Sequence, residues 1–203
     1  MKQLLLLTGL LASTFFTTPL KDSLTDAERK FAVSEFQRTK QRFLDDVKGL
    51  SAQQLSFKAD TSRWSIAQCI EHIALAETLL WQWNQMTQSQ PATPEKASEV
   101  KVTDDLILKR MVDRTHTFKA PEMLQPVGKF ASTEAALQAY TSRRDSTINY
   151  ISTTKDDLKN HFVQHPALGT INTYQLLLLL SGHSERHTLQ IEEVKANPAF
   201  PKQ

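Results

Sequence analysis

Four long stretches of the chain repeat apolar residues at spacings of three, four and seven, the pattern of an amphipathic helix. In the first stretch one helical face carries Val33, Phe36, Phe43, Val47 and Leu50. The four predicted helices run from Thr25 to about Leu50, from Ser65 into the eighties, from Ser132 to about Thr153 and from Asn172 to about Lys195. Four such helices predict an all-α fold, a four-helix bundle with the apolar faces packed together.

Local signals agree with these helix starts. A capping box, in which two side chains three residues apart bond each other's backbone N–H groups, is expected at Thr25–Glu28, Ser65–Gln68 and Asn172–Gln175. A shorter helix is predicted over Asp104–Val112. The segments 89–98 and 159–171 contain proline or glycine and are predicted to be loops, and alternation typical of a strand is hard to find.

The first twenty residues have the pattern of an export signal. Lys2 precedes an apolar stretch that continues to Phe16. At about 13 residues it is short for a membrane span, which needs about 20. We therefore expect residues 1–20 to be a signal peptide, without a clear cleavage site, and residues 21–203 to form the bundle domain. An uncleaved N-terminal anchor is the alternative. The expected location is the bacterial periplasm or the medium, with no stable membrane span after processing.

Charge and cysteine content exclude two classes of protein. Lysine and arginine total 24 against 22 aspartate and glutamate residues, a net charge of +2. This balance, without a basic run among aromatics, argues against a nucleic-acid partner. The single cysteine, Cys69, rules out an internal disulfide, so stability in an exported protein has to come from the core or from a metal.

Three histidines form a candidate metal site. His183 and His187 are four residues apart in the last helix, so their imidazoles share a face, and Leu176 and Leu180 place that face inward. Two imidazoles in an apolar interior are not both charged cheaply, and a divalent metal resolves this because it binds neutral imidazole. His72, on the inward stripe of the second helix, is the natural third ligand. Zinc, iron, nickel and manganese all remain candidates.

Two residues near these positions each have two possible interpretations. Cys69, one turn before His72, is either a fourth ligand or a small apolar filler, and Gln190 either orients a ligand or packs. Glu185 lies about 200° around the helix from His183, so the segment is not the His-Glu-x-x-His motif of metalloproteases. His165 directly precedes Pro166, and His161 lies four residues earlier, so both are expected in a loop or at a helix end. His116 has no partner in its local sequence.

Two segments resemble a known family. Residues 63–73, RWSIAQCIEHI, and the segments HPALG (165–169) and GHSERHTLQI (182–191) are similar to the second- and fourth-helix signatures of the DinB-like superfamily. The resemblance extends from about Thr25 to Val194. It implies a four-helix bundle in which His72, His183 and His187 bind one divalent metal. Characterised relatives include thiol-dependent transferases and isomerases. Trp64 and Glu71 match the pattern, and we interpret Trp64 as a packing staple against Cys69 and Glu71 as an outward or second-shell residue.

Function remains open between two main hypotheses. The first is a metal-dependent enzyme, either a hydrolase or a thiol-dependent transferase, because three protein ligands leave coordination positions open for a small-molecule substrate. The predicted export signal disfavours thiol transfer, since cytoplasmic thiol cofactors are scarce outside the cell. The alternative is a non-catalytic helical binding domain that the metal stabilises. A metal-free interaction domain is a third reading, and a homodimer is possible in any of them.

Overall fold

A computed structural model describes residues 24–116 and 119–202 of the chain. The long helices are α1 (Asp26–Val47), α3 (Ile66–Gln88), α5 (Thr133–Thr153) and α6 (Thr173–Lys195), with the shorter α2 (Ala52–Ser56) and α4 (Asp104–Val112) between them. Two 3₁₀ turns cover Pro94–Glu99 and Glu122–Leu124. The expected signal peptide, residues 1–20, lies outside the described residues. None of the helices described is both long and apolar enough to cross a membrane.

The helix starts follow the sequence signals closely. Both bonds of the capping box are present at Thr25–Glu28, Ser65–Gln68 and Asn172–Gln175, as predicted. Each N-cap is worth about 1 kcal/mol, which fixes where the helices begin and hence the register of their inward faces. The short helix α2 begins with a further capping box, Ser51–Gln54, which was not predicted.

The four long helices form a closed ring. Helices α1 and α3 each pack against both α5 and α6, and α4 lies across the outside of α6. Helix α6 therefore has neighbours on nearly every side, and its residues from Thr173 to Gly182 are all buried. This surrounding explains the five consecutive leucines from Leu176 to Leu180, which an amphipathic surface helix would not contain.

A β-hairpin replaces one predicted loop. Strands β1 (Phe162–His165) and β2 (Gly169–Asn172) pair antiparallel, with Val163 opposite Ile171. The prediction of a loop over 159–171 was wrong at 162–165 and 169–171, because four-residue strands are too short to show clear alternation. Gly169, at φ +74°, supplies the left-handed backbone that the turn needs. The fold is thus a four-helix bundle with a small hairpin that leads directly into α6.

A buried polar layer crosses the middle of the bundle. We use this name for Thr39 on α1, Glu77 on α3, Arg144 on α5, and Ser181 and Ser184 on α6. The Arg144 guanidinium donates to the Glu77 carboxylate and to the Ser184 hydroxyl, and it lies 3.3 Å from Thr39 Oγ1. Glu77 and Arg144 are both fully buried. The layer therefore joins all four long helices through one ion pair and its hydroxyl partners.

Candidate metal centre

The two long helices α3 and α6 bring the three predicted histidines together. One ring nitrogen from each of His72, His183 and His187 lies within 4.8 Å of the other two. The Nε2 atoms of His72 and His183 are 3.2 Å apart. Two nitrogens bound to one zinc ion in a tetrahedron are about 3.3 Å apart, given zinc–nitrogen bonds of 2.0–2.1 Å. The closest pair already has this spacing.

Hydrogen bonds orient two of the three imidazoles. His72 Nδ1 lies 2.7 Å from the carbonyl oxygen of Leu124, and His187 Nδ1 lies 2.9 Å from Gln190 Oε1. Both partners are oxygens that can only accept, so each Nδ1 carries the proton and donates. The lone pair is then on Nε2, the nitrogen available to a metal. Of the two readings of Gln190, the contact supports ligand orientation.

All three imidazoles are held neutral. Burial lowers the pKa of His72, and the bond to the Leu124 carbonyl opposes this shift only in part. Burial lowers the pKa values of His183 and His187 well below their usual value, and the neighbouring histidines lower them further. Protonation would place like charges side by side in a low-dielectric interior. Neutral imidazole is the form that binds metal, so the three rings are in the protonation state that a shared metal ion would need.

The donor set fits a divalent ion. His183 Nδ1 is buried and has no hydrogen-bond partner among the described residues. No hydrogen bond at this nitrogen therefore orients the ring, in contrast to the Nδ1 atoms of the other two histidines. At the centre the Nε2 atoms of His72 and His183 face each other at 3.2 Å, and a ring nitrogen of His187 lies within 4.8 Å of a nitrogen of each. A metal that accepts three neutral nitrogens would satisfy them, and zinc, iron, nickel and manganese remain open. The ligand role of the three histidines stays a prediction.

Trp64 forms one wall of the centre. Its ring centroid lies 4.8 Å from that of His72 and 5.9 Å from that of His187, and it stacks on His187. Trp64 also packs against the core cluster that contains Cys69, as its interpretation as a staple requires. The same side chain thus seals the end of the core and limits how the two histidine rings can turn.

Comparison with known proteins agrees with this arrangement. A family model described as the DinB superfamily matches residues 35–191, a range that includes all three histidines. The chain belongs to the DinB superfamily. This confirms the resemblance noted from residues 63–73 and 182–191.

Two relatives of this DinB-superfamily chain come from Bacillus subtilis. The uncharacterized protein YuaE is 23% identical over 163 residues, covering 80% of this chain and 96% of YuaE. The solved structure of YfiT, described as a probable metal-dependent hydrolase with an unusual four-helix bundle topology, matches with a TM-score of 0.60. It is 13% identical and covers 89% of this chain and 93% of YfiT, so the likeness shows the bundle fold.

Cys69 does not join the histidines of this DinB-superfamily protein. It has no exposed surface and lies in a cluster with Phe43, Ile66 and Tyr140. Burial raises the pKa of its thiol to about 12, which disfavours the thiolate that a metal would need. Among the described residues, the group that could hold a metal consists of the three histidines. The reading of Cys69 as an apolar filler is therefore the one that the packing supports.

Two glutamates near the three histidines in sequence have their carboxylates engaged elsewhere. Glu71 was expected to point outward or to lie behind a ligand, and the outward reading is wrong because only 9% of its surface is exposed. Its carboxylate accepts from the backbone amides of Gly128 and Lys129. Glu185 pairs with Arg38 and Arg42 of α1. Glu185 thus faces away from the centre, as its position on the helix indicated.

The remaining histidines lie apart from the centre. His165 ends β1 and its ring stacks on Trp83 at 6.3 Å, and His161 Nδ1 lies 3.3 Å from the Thr87 carbonyl oxygen. The prediction of a loop or helix end was wrong for His165, which is the last residue of β1, whereas His161 lies in the loop just before this strand. His116 contacts the neighbouring Thr115 hydroxyl. None of the three belongs to the group of possible metal ligands.

The backbone contributions to the site were not predicted from the sequence. The Leu124 carbonyl orients His72, but a carbonyl is present at every residue and leaves no signal in the sequence. In the sequence, Gly182 belongs to the segment that resembles the family signature, and no packing role was predicted for it. A Cβ atom there would lie 2.8 Å from Cβ of Met111, so this glycine lets α4 approach α6 one residue before His183. A glycine inside a strong helical pattern was the available signal.

Proposed function

We propose that this protein is a divalent-metal-dependent hydrolase whose metal is held by His72, His183 and His187. The observation that carries the proposal is the convergence of three neutral imidazoles without a fourth histidine, cysteine or carboxylate beside them in the described chain. Sites with three protein ligands are typical of catalytic metals, because a position stays open. The description of YfiT as a probable metal-dependent hydrolase supports the same reaction class by analogy of fold.

The residues around the centre prepare it for this chemistry. A divalent metal in such a site supplies Lewis acidity and lowers the pKa of water enough for hydrolysis near neutral pH. The Leu124 carbonyl and Gln190 hold two of the ligand rings, and Trp64 covers the side where these rings meet. A pre-organised and partly dry site strengthens each electrostatic interaction inside it.

Neither nearby glutamate is suited to be the general base. The Glu71 carboxylate is occupied by two backbone amides, and Glu185 is occupied by two arginines of α1. A general base must reach the proton that it abstracts. We therefore assign Glu71 and Glu185 no proton-transfer role, and the base is left to water or to a group that arrives with the substrate.

Two other functions use the same centre. Thiol-dependent transfer would place a thiolate at the open position, and the predicted export of the chain, itself untested, disfavours it. A metal that only stabilises the bundle is favoured by the burial of His72 and His187, which are 2% and 8% exposed. In that case binding energy becomes folding energy and no substrate reacts.

Metal content and hydrolysis test the proposal together. The full chain, purified without a tag, is analysed by elemental mass spectrometry beside His183→Ala, before and after reconstitution with zinc, iron, nickel and manganese. About one metal ion per chain in the wild type, absent from His183→Ala, is expected for a three-ligand site. Metal-loaded protein is then offered ester, amide and phosphoester substrates, with His183→Ala as the control for contaminating activity.

The outcomes separate the three functions. Turnover that requires both the metal and His183 supports the hydrolase. Transfer to an added thiol, without hydrolysis, identifies a transferase instead. Bound metal that raises the melting temperature while no substrate class reacts favours the structural role. No metal under any reconstitution condition removes the metalloenzyme proposal altogether.

A further inference from the structure

A strap crosses the outer side of α3 beside the metal centre. We use this name for residues 121–131, which lie between α4 and α5 and contain the 3₁₀ turn Glu122–Leu124. The strap touches the first two turns of α3 at three points. Gln68 Nε2 donates to the Pro126 carbonyl, the Glu71 carboxylate accepts from Gly128 and Lys129, and His72 donates to the Leu124 carbonyl. A ligand histidine and the anchor of the strap are therefore adjacent residues.

The anchor is a carboxylate in a pocket of backbone amides. The Gly128 N–H lies 2.9 and 3.1 Å from the two oxygens of Glu71, and the Lys129 N–H lies 2.7 Å from one of them. Gly128 has φ +85°, and a left-handed residue turns two successive N–H groups toward one anion. Hydrogen bonds to a charged acceptor are about twice as strong as neutral ones. Glu71 thus fixes this part of the strap firmly.

A second contact carries this fixed position back to the metal ligand. Lys129 Nζ donates to the Met123 carbonyl at 2.8 Å and closes the strap on itself. The next carbonyl along the chain, that of Leu124, accepts from His72 Nδ1 at 2.7 Å. The path from the Glu71 carboxylate to the His72 ring is continuous, and every link is a hydrogen bond or a single residue of chain.

We propose that Glu71 is a positioning residue of the metal centre, which orients His72 by holding the strap. It touches neither the metal position nor a substrate, and it acts through the Gly128–Lys129 amides and the Leu124 carbonyl. The proposal rests on the proposed function in one respect, that His72 is a metal ligand. It assigns a use to a buried carboxylate that the hydrolytic mechanism leaves idle.

The first test is Glu71→Gln, a change of nearly constant size. The new amide NH₂ faces backbone N–H groups, which cannot accept its hydrogens, so the strap loses part of its anchor. Cobalt(II) is the probe, titrated into metal-free protein against a chelating indicator. The expected loss of affinity is about 10- to 100-fold, as found for residues that orient metal ligands. The visible absorption bands of the bound cobalt are expected to change as well, because the His72 ring is no longer held at one angle.

Glycine variants test the same path without touching the carboxylate. A Cβ atom at Gly128 would meet nothing within 4 Å, so Gly128→Ala changes only the backbone preference at φ +85°. Asparagine tolerates this conformation, so Gly128→Asn is expected to restore binding. Gly169→Ala is the matched control, since Gly169 has φ +74°, equally open surroundings and a place in the hairpin outside the strap. Thermal unfolding of the metal-free forms measures the stability that each variant loses.

The expected pattern is weaker cobalt binding and altered bands in Glu71→Gln and Gly128→Ala, with near-normal binding in Gly128→Asn and Gly169→Ala. Wild-type affinity and bands in both strap variants would overturn the positioning role and leave the metal site standing. An equal loss of affinity in Gly169→Ala would also overturn it, since the effect would then follow stability alone. A wild type that binds neither cobalt nor zinc would instead refute the proposed function.

Discussion

Helices α3 and α6 contribute to two buried polar clusters that balance charge in different ways. In the polar layer the guanidinium of Arg144 meets the carboxylate of Glu77, and the Ser184 hydroxyl contacts both. In the metal centre three neutral imidazoles converge, and no carboxylate of the described chain joins their group. Ser184 of the polar layer lies between the two histidines of α6 in sequence. The two environments are therefore separated by single residues of one helix.

The difference shows which cluster needs an outside partner. Burial raises the pKa of the Glu77 carboxyl, and Arg144 and Ser184 oppose that shift. Both charges of the layer are thus supplied by the chain itself, and the layer joins all four long helices. The three histidines of the metal centre come from two helices only, and among the described residues no carboxylate belongs to their group. We infer that the layer fixes the bundle in the absence of metal, while the centre is completed by a cation.

The largest expected effect comes from breaking the ion pair. Arg144→Met leaves Glu77 buried without its counter-charge and should lower the free energy of unfolding by about 3–5 kcal/mol. Urea unfolding of metal-free protein measures this loss. The double variant Arg144→Met/Glu77→Leu is the control, because a well-packed apolar pair should recover most of the stability. A loss below about 1 kcal/mol in the single variant would contradict the role given to the layer.

Metal removal should lower the free energy of unfolding by a smaller amount, and this effect should depend on the metal centre rather than on the polar layer. At a free metal concentration 100 times the dissociation constant, binding adds about 2.7 kcal/mol to the free energy of unfolding. His187→Ala should abolish this increment and change the metal-free stability less than Arg144→Met does. The melting temperature with and without zinc reads out both quantities. If Arg144→Met still folds, it should keep the zinc increment, and its loss there would mean that the two clusters are not separate.

The sequence predicts the histidine cluster well because both of its determinants are local. Helical periodicity and capping boxes fix which residues face inward, and His183 and His187 then share a face by their spacing alone. His72 needs one further assumption, that its helix packs beside α6. The DinB-superfamily resemblance supplies that pairing.

The polar layer and the strap could not be predicted from the sequence in the same way. Arg144 lies in a stretch of polar residues that suggests a solvated helix face, and its burial depends on where Glu77 arrives from another helix. The strap orients His72 through backbone groups of Leu124 and Gly128, and these are set by tertiary packing. Short strands at 162–172 were missed because pairing, not alternation, defines them.

Acid should distinguish the two clusters further. Folding lowers the pKa values of His72, His183 and His187 from the usual 6.5, so below pH 6.5 the unfolded chain binds more protons than the folded chain. Stability of the metal-free protein is therefore full above pH 6.5 and falls as the pH drops below it. The slope approaches about 1.4 kcal/mol per pH unit for each histidine.

Urea unfolding between pH 7.5 and pH 5 measures this slope. The double variant His183→Gln/His187→Gln should lose most of it, whereas Arg144→Met should keep it, because the polar layer contains no imidazole. His165→Asn is a further control. It measures the part of the slope that comes from outside the metal centre, because burial also lowers the pKa of His165 in the hairpin. A slope unchanged in the double variant would show that the centre does not hold its histidines neutral.

The smallest expected effect tests the boundary of the metal centre. Cys69→Ala removes one buried sulfur atom from the apolar cluster near Trp64, and the small cavity should lower the free energy of unfolding by about 1 kcal/mol. Zinc stoichiometry and affinity should stay at wild-type values, because the thiol has a raised pKa and lies outside the histidine group. Thermal unfolding and a competitive zinc titration measure the two properties separately. A tenfold weaker zinc affinity in Cys69→Ala would mean that the thiolate is a fourth ligand, and the centre would then be closed and structural rather than open and catalytic.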